Sequence, residues 1–112
     1  MPVPTTNQLL RPFLEFCSDK KTHSLKEAIE YLGNEFELSQ SELAEKQPSG
    51  RQTKFEKRVG WARYYLGKAG LLQTIDHGYK SGHFKITNLG LKLLSNDKII
   101  ITISNLKNLN LE

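Results

Sequence analysis

Residues that carry redox, disulfide or membrane chemistry are scarce in this chain. Its 112 residues include a single cysteine, Cys17, which excludes an internal disulfide and fits a reducing cytoplasm. The longest apolar runs, such as Ile99–Ile101, are far too short to cross a bilayer. Met1–Pro4 shows no basic region followed by an apolar core, so we predict no secretion signal. We therefore expect a cytoplasmic protein with no membrane partner.

Motifs for catalysis are also missing. No Asp followed by Glu-x-Lys occurs, as a metal-dependent nuclease would need, and no glycine-rich phosphate loop precedes a helix. Asp76, His77 and His83 are scattered and lack a cysteine pair, which makes a poor zinc signature. Cys17 falls on an apolar helical stripe and is interpreted as a small core residue. We predict no catalytic residues, no metal site and no cofactor in this chain.

Helix starts, by contrast, are well marked. Capping boxes, in which a Ser or Thr is followed three residues later by Glu or Gln, occur at Thr5–Gln8, Ser24–Glu27 and Ser39–Glu42. Pro12 lies inside the first predicted helix and predicts a kink, or a start nearer Leu10. The apolar stripes of the first two helices are Leu10, Phe13, Leu14 and Cys17, then Leu25, Ala28, Ile29, Leu32 and Phe36.

The third long helix is predicted from Thr53 to Ala69, with Gly70 as its C-terminal stop. From Arg51 to Lys68 the chain has six basic residues against one acid, Glu56. This segment therefore carries +5, while the whole chain carries +4. Such a concentration is typical of a polyanion-binding surface, although a solubilising charged face is the plainer alternative. The buried stripe is predicted to be Phe55, Val59, Ala62, Leu66 and Ala69.

The remaining pattern predicts a β-hairpin and a further helix. Leu71–Ile75 and His83–Thr87 have strand character, and a loop of seven residues separates them. Asn88–Leu94 returns to helical spacing, although Gly90 weakens it. Ile99–Thr102 predicts a short strand, followed by a helical turn containing Leu106 and Leu109. The chain is thus predicted to be one domain, 1–112, with residues 96–112 as a C-terminal extension whose fold the sequence leaves open.

This order of elements predicts a fold class that is mainly α with a small β-hairpin, a winged helix-turn-helix. In that fold the third helix enters the major groove and the wing contacts the DNA backbone. Double-stranded DNA is the expected partner. Phosphate contacts are predicted for Arg51, Lys54, Lys57, Arg58 and Lys80, base-edge contacts for Gln52, Thr53 and Lys57, and further DNA contacts for Tyr64, Lys68 and Tyr79. The backbone amides near Thr53 are expected to suit a phosphate.

A resemblance to a known family is carried by several runs of residues. They are Pro48–Phe55, Val59–Arg63, Tyr65–Leu72 and Ile86–Thr87 with Gly90, together with Pro2–Thr5 and Gln8–Pro12. These runs resemble the N-terminal domain of Mrr-type, modification-dependent (type IV) restriction endonucleases. The resemblance implies a winged-helix DNA-binding domain, the targeting module of a restriction enzyme that acts on methylated DNA, which is followed by a separate nuclease domain in the parent protein.

Two other functions stay open at this stage. One is a protein-interaction winged helix that forms a homodimer through Trp61, Tyr64 and Tyr65. The other is a standalone transcription regulator, which shares the DNA chemistry and differs in having no nuclease domain downstream. Residues 96–112 match the restriction family only loosely. The DNA site, the methylation preference and the oligomeric state cannot be deduced from the sequence.

Overall fold

The computed structural model describes residues 3–44, 53–77, 80–96 and 101–108. Within these ranges the chain forms six α-helices, one short 3₁₀ helix (Cys17–Asp19) and three strands. The helices are α1 (Thr6–Phe16), α2 (Leu25–Glu35), α3 (Gln40–Ala44), α4 (Lys54–Lys68), α5 (Asn88–Leu94) and α6 (Ile103–Asn108). The strands are β1 (His23–Ser24), β2 (Leu72–His77) and β3 (Lys80–Ile86).

The predicted fold class is confirmed. The protein is mainly helical, with one small antiparallel sheet whose strand order is β1-β3-β2. The chain order of helix, helix, short helix, basic helix, hairpin and helix is also as predicted. This arrangement is consistent with a winged-helix-like fold.

Helix starts follow the predicted capping boxes. The hydroxyls of Thr5, Ser24 and Ser39 each accept a hydrogen bond from the backbone amide three residues later. Each of these cap residues in turn donates its own backbone amide to the side-chain oxygen of that later residue. A fourth box caps α4, where the Thr53 hydroxyl accepts from the Glu56 amide at 3.0 Å. This box was not among the predicted ones, although Thr53 and Glu56 have the same spacing as the other three pairs.

Helix α1 begins at Thr6 and continues past Pro12, so the expected start nearer Leu10 is wrong. The leucines and phenylalanine at positions 9, 10, 13 and 14 are fully buried. Burying each such side chain contributes about 1.5–3 kcal/mol, which together outweighs the roughly 3 kcal/mol that proline costs a helix. Packing therefore overrides the local preference.

The sheet differs from the prediction in two ways. Its hairpin strands are longer, pairing Leu72 with Ile86 at one end and His77 with Lys80 at the other, so two residues rather than seven connect them. A third strand, β1, pairs His23 with Phe84, where a polar connector was expected. His23 is buried, and its Nε2 lies 2.9 Å from Asp19 Oδ1. That partner allows a polar residue to enter the sheet.

Helix α4 crosses the centre of the core. Phe55, Val59, Ala62 and Leu66 have no exposed surface, as predicted, whereas Ala69, the last residue of the predicted stripe, is only half-buried at the C-terminal cap. Gly70 follows the helix with φ +82°, a conformation that favours glycine, and so acts as the predicted stop. Cys17 is buried against the same core, and burial raises the pKa of its thiol to about 12.

Helix α5 packs closely on the chain before the hairpin. A Cβ atom built on Gly90 would lie 2.5 Å from the carbonyl oxygen of Leu71 and 2.7 Å from Cγ1 of Ile86. The Thr87 amide donates to the same Leu71 carbonyl at 3.0 Å. Gly90, which weakened the helix prediction, is thus the residue that lets α5 approach the main chain.

The C-terminal extension forms the predicted helical turn, α6. Ile101 and Thr102 do not form a strand, and Ile99 and Ile100 lie outside the described residues. Ile101 and Leu106 are buried in the domain core. The packing of these two side chains, rather than strand pairing, fixes this segment.

Candidate nucleic-acid interface

The outer side of α4 presents a stripe of basic and aromatic side chains. Lys57, Trp61, Tyr64 and Lys68 are spaced at i, i+4, i+7 and i+11, which places them along one face of a helix. All four are exposed, and the Trp61 and Tyr64 side chains retain 44% and 48% of their accessible surface. We call these four residues the outer stripe. It is a continuous surface on which cations flank aromatic rings.

The aromatic rings of α4 contact one another. The Trp61 and Tyr64 rings meet edge to face at 5.6 Å, and Trp61 stacks on Tyr65 at 5.8 Å. The Tyr64 and Tyr65 rings are 5.4 Å apart. Trp61 and Tyr64 are both among the exposed large side chains. The cluster holds Trp61 and Tyr64 in fixed positions while leaving their outer surfaces accessible.

Positive charge brackets these rings. Lys57 and Lys68 are exposed, and Lys68 Nζ lies 5.8 Å from the centroid of the Tyr64 ring. This distance permits a cation–π attraction that helps to position the ammonium group. Lys54 is half-buried at the start of the helix. Three of the predicted lysine contacts therefore lie on one helix, and two of them are on its accessible side.

The N-terminal end of α4 is occupied by its own capping box. The Thr53 amide donates to Glu56 Oε1 at 3.1 Å, and the Thr53 hydroxyl also contacts that oxygen. A carboxylate thus lies where a phosphate was expected on the amide. The structure gives Thr53 a capping role, and its contact with base edges stays a prediction.

Arg58 has an internal partner. Its Nη1 donates to the carbonyl oxygens of Val3 at 2.9 Å and Pro4 at 3.2 Å. The side chain is half-buried, and these two hydrogen bonds link the N-terminal segment to α4. This contact gives Arg58 a structural role that the sequence did not indicate, and phosphate binding by Arg58 stays a prediction.

Other predicted contact residues cannot be placed on this surface. Arg51, Gln52 and Tyr79 lie outside the described residues. Lys80 begins strand β3, opposite His77 in the hairpin. Of the ten predicted DNA-binding residues, the structure brings Lys57, Tyr64 and Lys68 together on the outer stripe.

Two glycines in α4 were not predicted to have a functional role. A Cβ atom on Gly60 would meet nothing within 4 Å, and one on Gly67 would reach only the Leu72 carbonyl oxygen at 4.0 Å. Glycine in a helix interior costs about 0.5–1 kcal/mol relative to alanine, and neither position needs it for packing. In the sequence, the sign of such a role was the presence of two helix-weakening glycines, one on each side of Tyr64. They leave open space beside its ring.

Metal chemistry and membrane insertion find no support in the described segments. Among the side chains described there, no three His, Cys, Asp or Glu residues gather to hold a metal ion. None of the helices in those segments combines the length and apolar character needed to cross a bilayer. Side chains of Asp76 and His77 lie outside this description.

Comparison with known protein families shows which family this chain belongs to. Residues 7–96, most of the chain, match the family model of the Mrr N-terminal domain. The chain belongs to the Mrr N-terminal domain family. It therefore corresponds to the N-terminal part of an Mrr-type restriction protein, a domain that is not itself the catalytic one. Searches of curated proteins and of solved structures return no match.

Proposed function

We propose that this Mrr N-terminal domain binds double-stranded DNA along the outer stripe of α4 and targets a cytoplasmic restriction system to modified DNA. The observation that carries the proposal is the arrangement of Lys57, Trp61, Tyr64 and Lys68 on one exposed helix face. Family membership supports the link to restriction. The preference for methylated DNA rests on that family relationship alone.

Charge favours DNA over a protein partner. No carboxylate belongs to the outer stripe, and Glu56, the one acid of α4, contacts Thr53 at the helix start. Among the described residues, neither Lys57 nor Lys68 forms an ion pair with an acidic side chain. The two cations are therefore available to phosphates, whose neutralisation releases condensed counterions and supplies most of the non-specific affinity.

A salt titration tests this proposal directly. Binding to a labelled duplex, followed by fluorescence anisotropy, should weaken with a log–log slope of about −4 to −5 if four to six phosphates are neutralised. The double variant Lys57→Gln with Lys68→Gln should flatten that slope by about 2. Lys26→Gln with Lys92→Gln removes the same charge from exposed positions on α2 and α5, and should change the slope much less. Binding that ignores salt would contradict the proposal.

The methylation preference needs a separate measurement. Duplexes of identical sequence, with and without methylated bases, should be compared at one salt concentration. Tighter binding to the methylated duplex would place modification sensing in this domain. Equal affinity would assign it elsewhere in the restriction protein while leaving DNA binding intact.

The exposed aromatic cluster supports a second candidate, a homodimer formed through Trp61, Tyr64 and Tyr65. Light scattering with and without duplex separates the two functions. A dimer that ignores DNA and dissociates on Tyr64→Ala would favour the interaction surface. A standalone transcription regulator would instead share the DNA chemistry, and a nuclease sequence continuing in the same reading frame would argue against it.

A further inference from the structure

A groove of about 420 Å³ lies between the second half of α4 and the hairpin. Its lining combines apolar residues with hydrogen-bond donors. The apolar part is formed by Leu72 and Phe84, which are buried in the core. The rest consists of Arg63, Tyr64, Gly67 and Lys68 from α4, and Gln73 and Thr74 from β2.

Arg63 is the unusual member of this lining. Its guanidinium carbon lies 5.4 Å from the centroid of the Phe84 ring, which holds the group in place by stacking. Its Nε is buried, and among the described residues that nitrogen has no hydrogen-bond acceptor. A buried donor without a partner is unfavourable and is rare in folded proteins. Arg63 is thus positioned in advance, and its Nε lacks an acceptor within the part of the chain that the structure describes.

The electrostatics of the groove select for an anion. Among the described residues, the lining contains two cationic side chains, Arg63 and Lys68, and no carboxylate. Gln73 and Thr74 are exposed and add an amide and a hydroxyl that can donate. Gly67 lies one helical turn beyond Arg63, and its missing side chain keeps the groove open from the helix side. Tyr64 lines both this groove and the depression beside Lys57 and Gly60.

We propose that this groove receives a phosphate group of the DNA strand, with Arg63 as the residue that positions it. The planar guanidinium matches phosphate oxygens through paired N–H donors, and the Lys68 ammonium supplies the second charge. Leu72 and Phe84 form the apolar floor of the groove. This inference rests on the proposed DNA binding and extends that interface from the outer stripe of α4 to the face of β2.

Three variants test separately the charge of Arg63, the donor geometry of its guanidinium and the access of a phosphate to the groove. Arg63→Gln removes the charge, and should weaken duplex binding about tenfold and flatten the salt slope by about 1. Arg63→Lys keeps the charge but loses the paired donors, so the affinity should fall while the slope is retained. Gly67→Met fills the groove while Arg63 itself is retained, and should also weaken binding about tenfold. Lys26→Gln is the charge control, and Asn34→Met, at an exposed position of α2, is the control for adding a methionine to a helix.

Arg63 contacts Phe84, so thermal unfolding must show that each variant is folded at the binding temperature. Gly67→Met keeps the test decisive if Arg63→Gln does not fold. A direct readout is the NMR signal of the Arg63 Nε–H group in the wild-type protein. It should shift on addition of the duplex, and also on addition of inorganic phosphate at higher concentration.

The outcomes distinguish this inference from the proposed function. Wild-type binding to duplex with unchanged affinity in all three variants and no Nε–H shift would overturn the groove site and leave DNA binding intact. A shift with inorganic phosphate, but unchanged duplex affinity in the variants, would overturn the DNA-strand assignment in favour of a free phosphate-bearing ligand. If the wild type binds no duplex, the proposed function falls, and with it the DNA strand as the source of the phosphate.

Discussion

Arg58 Nη1 donates to the carbonyl oxygen of Val3 at 2.9 Å, joining α4 to a chain segment 55 residues earlier. Its neighbour Lys57 is exposed on the outer stripe and has no such contact with the other residues that the structure describes. Two adjacent basic residues of one helix therefore have different roles, one structural and one available to a ligand.

We therefore expect substitution of Arg58 to lower the stability of the fold, and substitution of Lys57 to weaken DNA binding instead. Arg58→Gln should lower the free energy of unfolding by about 1–2 kcal/mol, because the Val3 and Pro4 carbonyls lose a charged donor. Lys57→Gln should change that free energy by less than about 0.5 kcal/mol, yet should flatten the salt slope of duplex binding by about 0.9. Urea unfolding and anisotropy on both variants provide the check. A larger loss of stability in Lys57→Gln would refute the assignment.

The close packing around Gly90 predicts that adding a single methyl group at this position destabilises the fold. Gly90→Ala places a Cβ 2.5 Å from the Leu71 carbonyl oxygen, so α5 must move away. The free energy of unfolding should fall by about 1–3 kcal/mol. The matched change Gly60→Ala meets nothing within 4 Å and should raise it by about 0.5–1 kcal/mol. Opposite signs in thermal unfolding are the expected result; equal signs would contradict the packing described for α5.

Local signals accounted for much of the fold. Capping boxes at Thr5, Ser24 and Ser39 gave the starts of three helices, because a cap depends on residues three positions apart. The apolar stripe of α4 also matched its buried face. These features are encoded within a few turns of chain, so the sequence alone reveals them.

Contacts between residues far apart in the sequence could not be predicted from such local patterns. Strand β1 exists because His23 pairs with Phe84, 61 positions later, and the polar sequence around His23 gives no sign of it. The Arg58–Val3 bond and the stacking of Arg63 on Phe84 are likewise tertiary. Composition located the basic helix, but only packing shows which of its cations remain accessible.

Cys17 predicts a pH-dependent contribution to stability. Its pKa is raised from 9.0 to about 12 in the folded state, so the folded protein keeps a proton that the unfolded chain loses above pH 9. Stability should therefore fall between pH 9 and 12, by up to about 1.4 kcal/mol per pH unit, relative to Cys17→Ala over the same range. Thiol labelling at pH 8 should be slow in the native protein and fast in urea. Rapid native labelling would contradict the burial of this thiol.

The position of Glu56 at the start of α4 predicts that removing its charge raises the affinity for duplex DNA. Glu56→Gln retains an oxygen that can accept from the Thr53 amide, but it removes the negative charge from the start of α4. Duplex affinity at low salt should rise about two- to threefold, because phosphates no longer meet that charge. Glu27→Gln changes the equivalent position in the capping box of α2 and should have a smaller effect. An unchanged affinity in Glu56→Gln would mean that DNA does not pass near this end of the helix.

The Thr53–Glu56 cap also bears on the angle at which a duplex can approach. Many helices meet nucleic acid tip first, with free amides pointing at the sugar–phosphate chain. Here the tip carries an anion, and the cations of the outer stripe lie along the flank. If the domain binds DNA as proposed, we therefore expect a broadside orientation, with the axis of α4 running along the polymer rather than pointing into it.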